Sequence, residues 1–427
     1  MKEEFLHYIW QYRLFNNDSI NLPNGDIITI IDVGIHNTDA GPDFFNAKIK
    51  IGKTLWVGNV EIHIKSSDWV KHKHHTNKAY DNVILQVVKE NDINVVNTRG
   101  EEISTIELDF DNDIYLRYSD LLKSELWIPC EEKLNYVDEF TVSQWISKLT
   151  IERLEEKAII IEEILIRNNN NWEETFYQSI SKSFGLKINA EPFEMLARSI
   201  PLKYLAKHKN SLFQLEALLF GQAGFLSDDE GGDEYYESLK KEYCFFKRKF
   251  ELIPIEKHLW KFLRLRPGNF PTIRIAQFAG LIYQSSSLFS KIVEIENVNE
   301  LRKILNSKHS EYWNTHYIFN KLSIKRKKNL GLSFINSIMI NTIIPFLFLY
   351  GEKRNNEELK ERAVEFLEKL PAENNSIIKS WRCLNINAEN AADSQALLQL
   401  KNNYCNKKEC LSCQIGNSII RNKIDEA

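Results

Sequence analysis

Two periodicities divide the chain. Up to about residue 112, apolar residues alternate with polar ones in short runs bounded by turn residues, the pattern of half-buried strands. From about residue 138 to 380 they recur at the helical spacing of about 3.6 residues. The first segment opens on a helix over residues 4–15, with Phe5, Ile9 and Tyr12 at helical spacing. A turn at Pro23, Asn24 and Gly25 leads into strand-like runs at 27–33, 47–51, 56–65, 82–88 and 103–110. Residues 69–81 separate the third run from the fourth and can hold a helix. Helix, three strands, connection and two strands predict an α/β domain over residues 1–112. Residues 143–167 and 356–370 are amphipathic helices with charged outer faces, so 113–380 reads as a helical domain. Residues 381–427 predict one helix that ends at a cysteine cluster. The class is therefore α+β: an α/β domain, a mainly α-helical domain, and a short cysteine-containing subdomain.

Composition changes this picture little. With 427 residues, 43% of them hydrophobic, the chain can bury a large core. A net charge of −4 gives no bulk electrostatic case for nucleic acid, so such a partner would need a local basic patch. No apolar run reaches about 18 residues, and the most apolar stretch, residues 343–350, reads as a buried helix, so no membrane span is expected. The first ten residues carry acids and no small-residue cleavage site, unlike a signal peptide. Six cysteines, three of them clustered, suggest a reducing, cytoplasmic setting over a disulfide scaffold.

The chemistry concentrates in one strand. Over residues 60–65, Val60, Ile62 and Ile64 point one way and Glu61, His63 and Lys65 the other. Asp43 lies upstream in Gly41-Pro42-Asp43-Phe44. Two carboxylates suit magnesium, which prefers oxygen ligands and keeps several waters. A nearby His63 or Lys65 can orient or deprotonate the attacking water beside a phosphodiester. The plainer alternative is a solvated sheet face with cross-strand ion pairs, and Asp43 as a turn residue.

This pattern resembles the PD-(D/E)XK nuclease superfamily. Pro42-Asp43 matches its first motif element, and Glu61-Ile62-His63 matches its acid-x-lysine pair, with histidine at the usual lysine position and Lys65 one pleat further on. The resemblance implies that Asp43 and Glu61 bind magnesium or manganese, and that the chain cleaves DNA or RNA. It also implies that Glu4, in the first helix, is an accessory ligand, and that Gln86 fills a position where many members carry a polar residue. The departure at His63 keeps open an inactive, nuclease-like fold that binds nucleic acid or acts as an adaptor. Over its whole length the chain more closely resembles a bacterial family of unknown function, DUF2851. That likeness rests on GPDF, VEIH, SDW, RPGNFPTIRIAQFAG and the terminal YCxxxxCLxC.

Three further clusters stand out. His72 and His74, in Lys71-His72-Lys73-His74-His75, can share a transition metal if the segment is extended. A zinc or manganese centre of Glu61, His63, His72 and His74 is one option, and a solvated basic connection is the other. Trp69 reads as a core anchor. Cys405, Cys410 and Cys413 have ligand spacing for zinc or an iron–sulfur cluster, and Cys383 could be a fourth ligand. Reduced thiols packing a small subdomain are the alternative, and Cys130 and Cys244 read as core. Finally, Arg264, Arg266 and Arg274 flank a Pro-Gly-Asn-Phe-Pro turn, with Pro271 opening a helix. These arginines suit phosphate or pair with acids across a helix interface, and the run Lys325 to Lys328 reads as a solvated helix end or as a track for a nucleic-acid backbone.

Overall fold

The computed structural model describes residues 1–16, 19–21, 27–227, 231–285 and 287–422; the turn expected at residues 23–25 lies outside them. The chain forms two units, Met1–Trp145 with Lys401–Ala427, and Ile146–Leu400. The cuts fall at Trp145 and Leu400, where the periodicities suggested 112 and 380.

The first unit opens on helix α1, Glu3–Gln11, which buries Phe5, Leu6, Ile9 and Trp10. It ends earlier than the apolar spacing suggests. Arg13 takes a left-handed φ of 51°, and Phe15 then makes a β-bridge to Phe110. Seven strands follow: β1 Ser19–Asn21, β2 Ile27–Asp32, β3 Ile35–His36, β4 Phe44–Ile51, β5 Thr54–Lys65, β6 Val83–Glu90 and β7 Thr105–Glu107. Their order in the sheet is β1-β2-β4-β5-β6-β7, with β3 beside β4. A short reversal at Gly52 makes β4 and β5 antiparallel. The parallel pairing of β5 with β6 needs a crossover, which residues 66–82 supply with the short helix α2, Asp68–Lys71, and two 3-10 turns. Trp69 anchors that crossover from a fully buried position, its indole N–H donating to the Val96 carbonyl at 3.0 Å.

Helix α3, Asn112–Lys123, closes the sheet region. The end of the chain returns to this unit: Arg117 Nε donates to the Ile420 carbonyl at 2.8 Å, and Lys401 Nζ to the Trp127 carbonyl at 2.7 Å. The cysteine-bearing tail is thus part of the first unit.

Among its described residues the second unit is helical apart from a two-stranded ribbon, His316–Ile318 with Lys321–Leu322, and an isolated bridge between Pro371 and Asn390. Phe184, Phe193, Phe220, Trp313 and Phe346 are fully buried in its core. Among the described residues, the helical run Leu332–Lys353 is long and apolar enough to cross a bilayer, and 78% of its most apolar stretch is buried inside the protein. It contains residues 343–350 and packs as a core helix. A π-turn at Met339–Ile343 comes just before Pro345, whose missing N–H would otherwise break the ladder.

Candidate metal-binding active site

Asp43 ends a turn and immediately precedes β4. The Asn37 side chain holds that turn, donating to the Pro42 carbonyl at 3.0 Å and to the Asp39 carbonyl at 3.1 Å. Across the antiparallel pair, Asp43 and Glu61 bind each other's strands reciprocally. The Asp43 N–H donates to Glu61 Oε2 at 3.1 Å, and the Ile62 N–H donates to Asp43 Oδ2 at 2.8 Å. Two carboxylates are thereby fixed side by side on backbone hydrogen bonds, without relying on long side chains.

The polar face of β5 is not solvated. Glu61 is 5% exposed and His63 1%, as deep as Val60 and Ile62 on the opposite face. Burial raises the Glu61 pKa, the neighbouring Asp43 charge adds to this, and the His74 imidazole at 3.2 Å opposes it. Burial drives the His63 pKa down to about 4, helped by His74 and His72, so His63 is neutral at pH 7.

Gln86 on β6 sets the His63 tautomer. Its Nε2 donates to the Ser66 carbonyl at 3.2 Å, and its Oε1 accepts from Thr105 Oγ1 at 3.1 Å. These two partners assign the amide orientation, so an N–H faces His63 Nδ1 at 3.2 Å and Nδ1 accepts. The imidazole proton then sits on Nε2. That atom is buried, has no hydrogen-bond partner among the described residues, and stands 3.7 Å from Glu61 Oε1. His63 therefore presents a neutral N–H donor to the space beside the two carboxylates.

The crossover delivers His72 and His74. Ser66 and Ser67 are pinned to Asp92 by hydroxyl hydrogen bonds of 2.9 and 2.7 Å. Lys73 takes a left-handed φ of 62°, which reverses the chain between the two histidines. The segment is not extended, as direct i, i+2 ligation would need, yet the turn achieves the same convergence. Ligand atoms of His63, His72 and His74 all lie within 4.8 Å of one another. Stacking on Tyr80, with ring centroids 3.8 Å apart, holds His74.

Two expected members stand elsewhere. Lys65 is exposed at the end of β5 and pairs with Glu90, Nζ to Oε1, at 2.9 Å. Glu4 is exposed, whereas Glu3, half-buried on α1, faces the site. Burial raises the Glu3 pKa, and His72, His7 and Asp43 act on it electrostatically. His7, one helical turn after Glu3, places Nε2 3.3 Å from Asp43 Oδ2. Burial works to lower the His7 pKa, but the Asp43 carboxylate outweighs it and leaves the pKa raised. Glu3 and His7 share a helix face at i, i+4, a spacing legible in the sequence once Asp43 is known to lie beside α1.

Four cysteines lie apart from these groups in the same unit. Cys410 and Cys413 are buried, and burial pushes up all four thiols of Cys130, Cys405, Cys410 and Cys413. Cys130 feels the charges of Cys413 and Cys410, and Cys405 those of Cys130, Cys413 and Cys410. The neighbour of the terminal cysteines is thus Cys130; Cys383 is exposed in the second unit. Cys413 caps the helix Gln414–Arg421, and the N–H groups of Ile415 and Gly416 point at its sulfur. A Cβ at Gly416 would lie 2.3 Å from the Cys410 carbonyl, so only glycine allows this tight Cys410-to-Cys413 loop.

A mixed sheet with paired carboxylates at an antiparallel junction, buried imidazoles beside them and a helix over them defines an α+β protein with a candidate metal site. The chain belongs to the family of proteins of unknown function DUF2851, whose model matches residues 3–376. No curated protein and no solved structure matches it.

Proposed function

We propose that this chain is a divalent-metal-dependent phosphodiester hydrolase, a nuclease of PD-(D/E)XK type acting on DNA or RNA. The observation that carries the reading is the reciprocal clasp of Asp43 and Glu61 across β4 and β5. The parallel strand β6, reached by a crossover and bearing Gln86 behind His63, supports it. The donor set fits a hard divalent cation: Asp43 and Glu61 would hold magnesium or manganese, with Glu3 as accessory acid. A bound cation would polarise the phosphodiester and lower the pKa of its water. His63 substitutes for the superfamily's lysine as a donor, its Nε2–H orienting water or a phosphate oxygen without carrying charge. A groove of about 690 Å³, whose lining includes Lys2, Lys407 and Lys408, the acids Glu4 and Glu409, and Tyr8 and Tyr12, shares His7 with the site. Its aromatic rings and three lysines suit a polynucleotide strand, and its two glutamates oppose one.

Cleavage of plasmid, single-stranded DNA and RNA with magnesium or manganese tests this. Wild type is expected to cut at least one substrate, and Asp43→Ala none. Equal behaviour of the two on every substrate contradicts the reading. Salt-dependent binding without cleavage would select the inactive nucleic-acid-binding or adaptor alternative.

The convergence of His63, His72 and His74 favours a second reading, a zinc or manganese centre with Glu61. The proton that Gln86 keeps on His63 Nε2 weighs against it. Metal analysis of His72→Ala and Cys405→Ser separates a histidine centre from a cysteine centre.

A further inference from the structure

The two basic motifs of the helical unit converge. Arg266 and Arg274, from the Arg-Pro-Gly-Asn-Phe-Pro turn and the helix Pro271–Gln284, line one pocket of about 550 Å³ with Arg326, Lys327 and Lys328. No aspartate or glutamate is among the described residues lining it. The motifs are joined directly: Gln277 Nε2 donates to the Lys328 carbonyl at 2.6 Å.

Arg274 makes this pocket unusual. It is 6% exposed, and burial lowers its pKa to about 10. Its guanidinium lies 3.6 Å over the Phe334 ring and donates only to neutral oxygens, Gln277 Oε1 at 2.9 Å and Asn269 Oδ1 at 2.6 Å. Its Nε is buried without a partner among the described residues. Lys328 is also buried and donates to the carbonyls of Trp313 and Asn314, at 2.6 and 2.9 Å. A buried cation is costly unless a counter-charge meets it, yet among the described residues no acid pairs with either of these two. The pairing with acids that the sequence allowed is thus not made by Arg274 among the described residues. Gln277 and Asn269 instead hold the guanidinium plane fixed, as expected of a group pre-set for an incoming anion.

We propose that this pocket binds a phosphate group, with Arg274 as the planar buried contact and the exposed Arg266, Arg326 and Lys327 closing around it. Planar guanidinium forks match phosphate oxygens, and the N-terminus of the helix at Pro271 adds a favourable dipole. The phosphate could belong to a small phosphorylated molecule or to a polynucleotide backbone.

Calorimetric titration of the full chain with pyrophosphate, and separately with a short single-stranded oligonucleotide, tests the proposal. Binding of at least one probe is expected. It should weaken at least about tenfold in Arg274→Gln and in the double variant Arg266→Gln with Arg326→Gln. Both residues of the double variant are exposed, so its thermal midpoint should stay at the wild-type value. Pyrophosphate binding marks a small phosphorylated ligand, and oligonucleotide binding alone marks a polynucleotide. Failure of both probes to bind, or wild-type affinity in the double variant, overturns the proposal. Asp43→Ala should leave this binding unchanged, so the outcome is independent of the hydrolase reading.

Discussion

Replacing Glu61 by glutamine is expected to lower metal-dependent cleavage by on the order of a hundredfold or more, while Lys65→Ala leaves it unchanged. Glutamine keeps the shape of the side chain, so its oxygen can still accept the Asp43 N–H that Oε2 accepts at 3.1 Å. What it loses is the negative charge beside Asp43, and with it half of the carboxylate pair that would hold the cation. The fold should tolerate the change, because burial already raises the Glu61 pKa and the site does not favour its charge. A thermal melt run beside the cleavage assay separates loss of chemistry from loss of structure. Lys65 is the informative control: it lies two residues from His63, yet its ammonium is exposed and bound to Glu90. Loss of activity in Lys65→Ala, or full activity in Glu61→Gln, would contradict the assignment.

The second large effect concerns the cysteines. Purified protein is expected to carry metal, and Cys130→Ser to lose it and melt lower by on the order of 5 °C or more. Burial raises the pKa of the Cys130, Cys405, Cys410 and Cys413 thiols, a cost that a bound soft metal would offset. The N–H groups of Ile415 and Gly416 aimed at Cys413 suit a thiolate ligand. Elemental analysis and the visible spectrum distinguish a colourless zinc site from a coloured iron–sulfur cluster. Cys383→Ser should keep the metal. Metal-free wild type, or unaltered metal in Cys130→Ser, would remove this centre from the account.

Much of the candidate site was legible because strand alternation is rigid. Glu61 and His63 share a face by period two, and Asp43 reaches them because the next strand starts one residue later. The same alternation puts Lys65 on that face but says nothing of its depth. Lys65 sits at the last residue of β5, past the cover that buries Glu61 and His63. Near the start of a helix the phase is set by packing, and this separates Glu3 from Glu4. The convergence of His72 and His74 depends on one left-handed residue, Lys73, a conformation rare outside glycine and asparagine and not readable from spacing.

Long-range pairings left no local signal. Cys130 looked like a core residue because the cysteines it neighbours are more than half the chain away. The tail looked like its own subdomain for the same reason. Arg274 read as a phosphate contact or an ion-pair partner and Lys328 as part of a solvated helix end, and the burial of both emerges only when the helix Pro271–Gln284 packs on the segment around Lys328. The strands and amphipathic helices, whose signals are local, lie close to where the periodicities put them.

The most direct test of the metal-dependent hydrolase reading is a crystal soaked with manganese and examined by anomalous scattering. The account predicts a peak bonded to carboxylate oxygens of both Asp43 and Glu61, at about 2.0–2.2 Å. A peak held by His63, His72 and His74 without Asp43, or no peak beside Glu61, would contradict it.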